Sequence, residues 1–412
     1  MEFMLIVIAV LALSSLYRII LNVVQFRSSR NPIPDSVSDV YDGEEYSKWR
    51  KYNSEQCRLG IISTVVTFVC QLILLVTNVY SAFASLFPAD IFLQLIAVIL
   101  FDTVVSTLVS VGFDYYETMV IEGKYGFNRS TVKTFVADKI RGLILELVIG
   151  IGLSALLASL HITMGNWLIL LFAGAVFVIT LLISFLYPVF SRMGNKFVPL
   201  EEGELKNKLM GLLTKHGYKV KAIEVMDASR RTTKLNAYFT GFGKMKTIVL
   251  YDNLVNALTT DEICAVFAHE LGHGLHKDVL KSQVMNVGNL VLMAILAWGA
   301  VSVPQFYTAF GFDSVNYGFA FLLIGIALST VQPLTGIIMN THSRRAEFRA
   351  DQQAVKEGYG ESLVTGLKLL AKENFAHLSP SPLLVALEYS HPPLAKRIEK
   401  IGEAVRAVPA QE

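Results

Sequence analysis

The sequence predicts an all-α polytopic membrane protein with seven transmembrane helices, and three observations carry that prediction. First, its 412 residues are 53% hydrophobic and only 17% charged, against about 25% charged in an average soluble domain. Second, seven stretches approach the roughly 20 apolar residues that a spanning helix needs: Phe3–Val24, Ile61–Leu86, Ile91–Phe113, Leu143–Leu160, Trp167–Phe190, Val284–Val303 and Phe319–Met339. Third, Lys and Arg fall in alternate loops only. Arg27, Arg30, Lys48, Arg50, Lys51 and Arg58 lie between the first two spans, and Lys124, Arg129, Lys133, Lys139 and Arg141 between the third and fourth. The loops around Pro88, His161–Asn166 and Pro304–Tyr317 hold none. By the positive-inside rule this places the N-terminus outside, and the long polar segments Ser191–Gln283 and Asn340–Glu412 in the cytoplasm.

The first stretch is longer than a signal-peptide core and lacks a small-residue cleavage pattern, so it reads as a retained anchor. A net charge of +2 with no basic run argues against nucleic acid as a partner; the lipid bilayer is the partner that composition demands. Cys57, Cys70 and Cys264 lack the count and spacing of a disulfide framework or zinc knuckle. Four regions follow: a five-span block 1–190, a polar insert 191–283, a transmembrane hairpin 284–340 and a polar tail 341–412. Asp102 and Glu146, inside or near spans, are expected to face an interior cavity or each other, because a lipid-facing carboxylate is costly; for Glu146, near the start of its span, placement at the membrane interface is an equal alternative.

The insert contains LNAYFTGFGKMKTIVLYDNL (Leu235–Leu254), which reads as strand, glycine-containing turn and strand, a small β-hairpin. A helix is expected next. Thr259 and Glu262 form a capping box, and Ile263, Val266, Phe267, Leu271 and Leu275 recur at helical spacing. On the flank of that helix, His269-Glu270-Leu271-Gly272-His273 matches H-E-x-x-H. In this pattern two imidazoles one turn apart face one zinc ion, and the glutamate between them is placed to take a proton from water. His276 is seven residues from His269, about 10 Å along a helix axis, too far to share the ion.

A catalytic zinc takes a third protein ligand and leaves one position open. The favoured third ligand is Glu347 in SRRAEFRADQQAV (Ser343–Val355), with Asp351 one turn on, placed to brace a ligand imidazole; His342 and His391 compete. The two half-sites lie at the two ends of one spanning hairpin, which returns them to the same membrane surface. Arg344, Arg345 and Arg349 read as contacts to lipid phosphates. The open position argues against the other class of reading, a zinc-stabilised scaffold, because structural zinc usually has four protein ligands.

Six ordered motifs, FDYYETMVIEGKYGFNRST, PLEEGELKNKL, LNAYFTGF, HELGH, SRRAEFRAD and YSHPPLAKRI, resemble the type I CAAX prenyl proteases, integral-membrane zinc metallopeptidases of the gluzincin group. The resemblance covers nearly the whole chain. It implies seven transmembrane helices forming a chamber, a cytoplasmic zincin-like helical site, one Zn2+ and hydrolysis of C-terminal CAAX peptides of prenylated proteins. Carried over, His269, His273 and Glu347 are the metal ligands, Glu270 is the general base and Asp351 supports a ligand histidine. His391 is catalytic and, with Arg397, helps hold substrate or the oxyanion; Asn236 and Ala237 hold the substrate backbone as an edge strand does. Membrane-protein quality control is the alternative use of the same chemistry. Eukaryotic members are longer and the tail AVRAVPAQE shows no retrieval signal, which points to a bacterial member in the inner membrane, with the endoplasmic reticulum as the eukaryotic alternative.

Overall fold

In the computed structural model, which describes residues 2–192, 195–240 and 245–407, charged residues gather at helix ends and apolar ones fill the middles. The N-terminal block comprises α1 (Glu2–Ser28), α2 (Gly43–Val76), α3 (Ile91–Tyr115), α4 (Val132–Met164) and α5 (Leu168–Arg192). After it come β1 (Phe197–Pro199), α6 (Glu204–Lys215), β2 (Lys219–Met226), β3 (Ala237–Thr240), β4 (Met245–Tyr251) and α7 (Thr260–Leu275). The chain ends in α8 (Asp278–Ser302), α9 (Tyr317–Lys356), α10 (Gly360–Glu373) and α11 (Leu394–Ala407). Among the described residues, α1, α2, α3, α4, α8 and α9 are long and apolar enough to cross a membrane. The remaining expected span is α5, whose described apolar run is Leu170–Ile183.

Inside the bundle, Val7 and Leu11 of α1, Leu95 of α3, Leu157 of α4, Ala297 of α8 and Phe319 of α9 form one buried cluster. A polar cavity of about 440 Å³ lies among α1, α2 and α3, lined in part by Asn22, Gln25, Asn53, Gln56, Asp114 and Glu117. Asp102 is half-buried and accepts a hydrogen bond from the Tyr80 hydroxyl at 2.6 Å, while Glu146 is exposed. The interior expectation thus holds for Asp102, with a tyrosine as its partner.

The β-hairpin is correct but incomplete. β3 and β4 pair antiparallel, Ala237 opposite Leu250; their turn, 241–244, lies outside the described residues. They belong to a four-stranded sheet of order β1-β2-β4-β3, in which β2 runs parallel to β4. Two strands were missed: the three-residue β1, which pairs antiparallel with β2, and β2 itself, KVKAIEVM, whose Val and Ile content favours a strand but whose partner β4 is set only by tertiary pairing. β3 is the edge, as the substrate reading requires. The sheet, α6, α7 and α10 share a second core that includes Leu213, Ile248, Ile263, Phe267, Leu271 and Leu367. Each such side chain contributes about 1.5–3 kcal/mol by burial, which fixes the apolar side of α7 and leaves its histidine flank to the site.

The tail is tied to the N-terminal block through segment 374–380. Trp49 Nε1 donates to the Phe375 carbonyl at 3.0 Å, and His377 packs on the Trp49 ring. His377 Nδ1 accepts the Ser379 N–H at 3.2 Å, so Nε2 carries the proton and donates to Ser28 Oγ at 2.8 Å. Burial pushes the His377 imidazole down to about 4. The unfolded segment takes up a proton below about pH 6.5 and the folded one resists it. Stability is therefore full above that pH, falls by at most about 1.4 kcal/mol per pH unit as pH drops toward 4, and is flat below. Melting curves between pH 7 and 4 should show this loss in the wild type and lose that component in His377→Phe.

Candidate active site

The capping box forms as its spacing requires: Thr259 Oγ1 accepts the Glu262 N–H, and the Glu262 carboxylate accepts the Thr259 N–H at 2.8 Å. It starts α7 in a register that sets His269 and His273 one turn apart, their rings perpendicular with centroids 4.9 Å apart. Across from them runs α9, a single helix of 40 residues, about 60 Å long. It carries the expected seventh span and continues past it to Glu347 and Asp351. α7 and α8 are separate helices, broken at Lys277 in the left-handed region with φ 54°. The packing of α7 on α9 depends on Gly272, since a Cβ there would stand 2.8 Å from the Ala350 Cα.

This approach brings one ligand atom each from His269, His273 and Glu347 within 4.8 Å of one another, the metal-capable group of His, Cys, Asp and Glu residues found among the described residues. Nε2 of His269 lies 3.4 Å from Glu347 Oε2, and Nε2 of His273 3.2 Å from Oε1. Both Nδ1 atoms are already engaged. His269 Nδ1–H donates to Asp351 Oδ1 at 2.9 Å and His273 Nδ1–H donates to Asp278 Oδ2 at 3.1 Å. Those bonds leave both Nε2 lone pairs for a metal. Glu347 is buried, and its Oε2, though within 3.4 Å of His269 and Arg397, has no hydrogen-bond partner, a lone pair that a cation at this point would satisfy. The residues present therefore fit a divalent metal with nitrogen and carboxylate ligands.

Electrostatics follow from this crowding. Burial disfavours the charged form of every group, but the paired charges outweigh it. Asp351 and Glu347 hold His269 up to about 9, and His273 is raised by Glu347. Glu347, Asp351 and Asp278 are all held below the usual carboxylate range, the first two by His269 and Arg397 and the third by Arg349 and His273. A metal entering here displaces protons from the imidazoles.

The other predicted residues fall as follows. Glu270, half-buried, forms no ion pair or hydrogen bond with described residues and lines a small cleft with Ala237, Tyr238, Val266 and Phe267. Ala237 opens the edge strand, and Asn236, exposed, caps it by accepting the Ala237 N–H at its own Oδ1, 2.8 Å away. His391 is exposed and its Nε2 stands 3.3 Å from Glu347 Oε1. Arg397 is buried: Nε and Nη2 donate to the two oxygens of Asp351 at 3.0 and 2.6 Å, and Nη1 lies 3.4 Å from Glu347 Oε2. Its guanidinium thus braces Asp351 and stands beside Glu347. His276 ends α7 and His342 stands outside the cluster.

Three contributors were not foreseen. Asp278 holds His273 and is itself held by Arg349 Nη2 at 2.9 Å. Arg344 Nη1 donates to the carbonyls of Val385 and Tyr389, both at 2.7 Å, and so anchors the segment that presents His391. Arg344 and Arg349 are thereby committed within the protein, which corrects their reading as lipid contacts. The one signal for Asp278 was an acid five residues past His273, at the start of the next helix. Asp278→Asn keeps the shape and weakens the acceptor; metal affinity should fall by about 10- to 100-fold, measured by chelator competition, with the melting temperature of the metal-free protein little changed.

Comparison with known proteins agrees with this geometry. The family described as CAAX prenyl protease N-terminal, five membrane helices, matches residues 22–192, and peptidase family M48 matches residues 199–405. The chain is 29% identical to a CAAX prenyl protease 1 homolog of Oryza sativa subsp. japonica over 97% of both chains. It is 30% identical to CAAX prenyl protease 1 of Saccharomyces cerevisiae, over 90% of this chain and 88% of that one. The crystal structure of S. mikatae Ste24p superposes with a TM-score of 0.89 at 28% identity, covering 97% of this chain and 99% of the other. These relatives are eukaryotic, and the rice protein is matched over nearly its full length, so the argument from length fails and the bacterial expectation is corrected. The chain belongs to peptidase family M48 and is a membrane-embedded metallopeptidase built like the CAAX prenyl proteases.

Proposed function

We propose that His269, His273 and Glu347 hold one Zn2+ and that the protein removes C-terminal residues from prenylated CAAX proteins. The observation that supports this most is the convergence of three ligand atoms beside an uncommitted glutamate, Glu270, at the end of an edge strand. Zinc, when bound, supplies a Lewis acid at that convergence. The chain does the rest. β3 takes the substrate as an added strand, so that grip comes from backbone and is tolerant of sequence. Asn236 and Ala237 are the first residues to meet it. Glu270 accepts the proton of the attacking water and delivers it to the departing amine nitrogen. His391, exposed at the rim, donates a hydrogen bond to the oxygen on which negative charge develops, while Arg397 and Asp351 keep His269 in the tautomer that presents Nε2.

Lysine and arginine distribution supports a cytoplasmic site, since α1 and α2 join through the basic loop on the side where the tail docks. The endoplasmic reticulum membrane is then the location in a eukaryote. The test is hydrolysis by the purified protein of a farnesylated CAAX peptide, the same peptide without the lipid, and an unfolded membrane protein, each with and without a chelator. Chelator-sensitive cleavage of the farnesylated peptide at a rate at least tenfold above the other two is the expected result. Preference for the unfolded protein would make quality control the function instead.

A further inference from the structure

We propose that the cleft between the ends of α1 and α2, on the side of the bilayer that carries the active site, binds the headgroup of an anionic phospholipid. Its cavity of about 400 Å³ is walled by Arg30, Arg50, Lys51 and Arg58, with Ser29 and Ser54 among them. None of these four cations forms an ion pair with a described residue; Arg30 lies over the Phe26 ring at 5.4 Å. The single carboxylate of the wall, Glu55, is already neutralised by Lys124 Nζ at 2.5 Å and accepts the Tyr125 hydroxyl at 3.0 Å. The cleft is therefore a concentration of unpaired positive charge, where paired charge is the rule elsewhere around the site.

Its place relative to the bilayer identifies the ligand class. Arg58 is the last charged residue of α2 before the apolar run, and the next in the chain is Asp90. It therefore stands at the boundary between hydrocarbon and headgroups. Arg50, eight residues earlier, is about 12 Å farther out along the axis, so the strip of cations crosses the headgroup layer. On α2 this strip faces away from Asn53, Gln56 and Gly60, which line the inner polar cavity, and so toward lipid. Arg58 and Glu55 also border a second cleft, of about 580 Å³, whose other walls include Leu59, Ile62, Phe113 and Tyr116 between α2 and α3. A charged pocket that shares Glu55 and Arg58 with a mainly apolar one at the membrane surface matches an amphiphile: phosphate in the first, acyl chain in the second. A free phosphate would use the first alone.

The test is native mass spectrometry of the purified full-length protein titrated with phosphatidylinositol 4-phosphate or phosphatidylcholine. The wild type should retain the phosphoinositide at least tenfold more strongly. The triple variant Arg50→Gln, Lys51→Gln, Arg58→Gln should lose that retention at least tenfold, with metal content unchanged as the sign of an intact fold. Failure of inorganic phosphate to displace the lipid at equal concentration supports an occupant held by both clefts. Equal retention of phosphatidylcholine, undiminished retention in the variant, or full displacement by inorganic phosphate would overturn the assignment.

Discussion

Glu270→Gln should keep its metal and lose peptide hydrolysis by two to four orders of magnitude or more, the range expected for a general acid–base group. The substitution is nearly isosteric. Because Glu270 makes no ion pair or hydrogen bond with described residues, its amide disturbs neither α7 nor the ligands, whose Nδ1 atoms remain on Asp351 and Asp278. What disappears is, among the described residues, the one uncommitted carboxylate beside the two imidazoles. Metal analysis and peptide cleavage on the same preparation separate the two effects. A variant that holds metal and cleaves within tenfold of the wild type would remove Glu270 from the role of base.

Glu347→Ala should abolish metal binding and loosen the fold together. Glu347 is 4% exposed and its carboxylate faces four cationic or hydrogen-bonding groups: His269 at 3.4 Å, His273 at 3.2 Å, His391 at 3.3 Å and Arg397 at 3.4 Å. Removing one partner of a buried charge network typically costs about 3–5 kcal/mol, because the remaining charges stay buried and unpaired. The metal term adds to this, since a ligand that binds only the folded state stabilises it by mass action. Added zinc should therefore raise the melting temperature of the metal-stripped wild type and leave that of Glu347→Ala unmoved. The conservative Glu347→Gln should recover part of the stability and none of the metal response. A zinc-induced shift of full size in either variant would show that another residue completes the site.

The contrast between these two positions reflects how each was legible. Glu270 sits in a pattern of five consecutive residues on a helix whose start, Thr259 with Glu262, and whose packed side, Ile263, Phe267 and Leu271, are all local in sequence. Glu347 could be named because a spanning hairpin must return its ends to one membrane surface, a constraint that the bilayer imposes on any sequence. Where neither locality nor the bilayer supplied a constraint, the sequence was silent. β2 pairs with β4 across more than twenty intervening residues, and Arg344 reaches the carbonyls of Val385 and Tyr389 some forty positions away. Arg349 was assigned to lipid from its place at the membrane surface, because its partner Asp278 is 71 positions away in sequence; the break at Lys277 starts α8 there, where Asp278 accepts from His273 as well.

By itself, then, the sequence determined six of the seven expected spans, the capped helix with its two histidines and glutamate, and the distant glutamate that joins them in one metal-capable group. Each of these rests on short-range periodicity or on the thickness of the bilayer. The tertiary structure decided the distances among the ligands, the carboxylates that orient both imidazoles and the burial of Arg397 against Asp351 and Glu347. These depend on how closely α7 approaches α9 at Gly272 and Ala350, and an interhelical distance is set by packing of side chains remote in sequence.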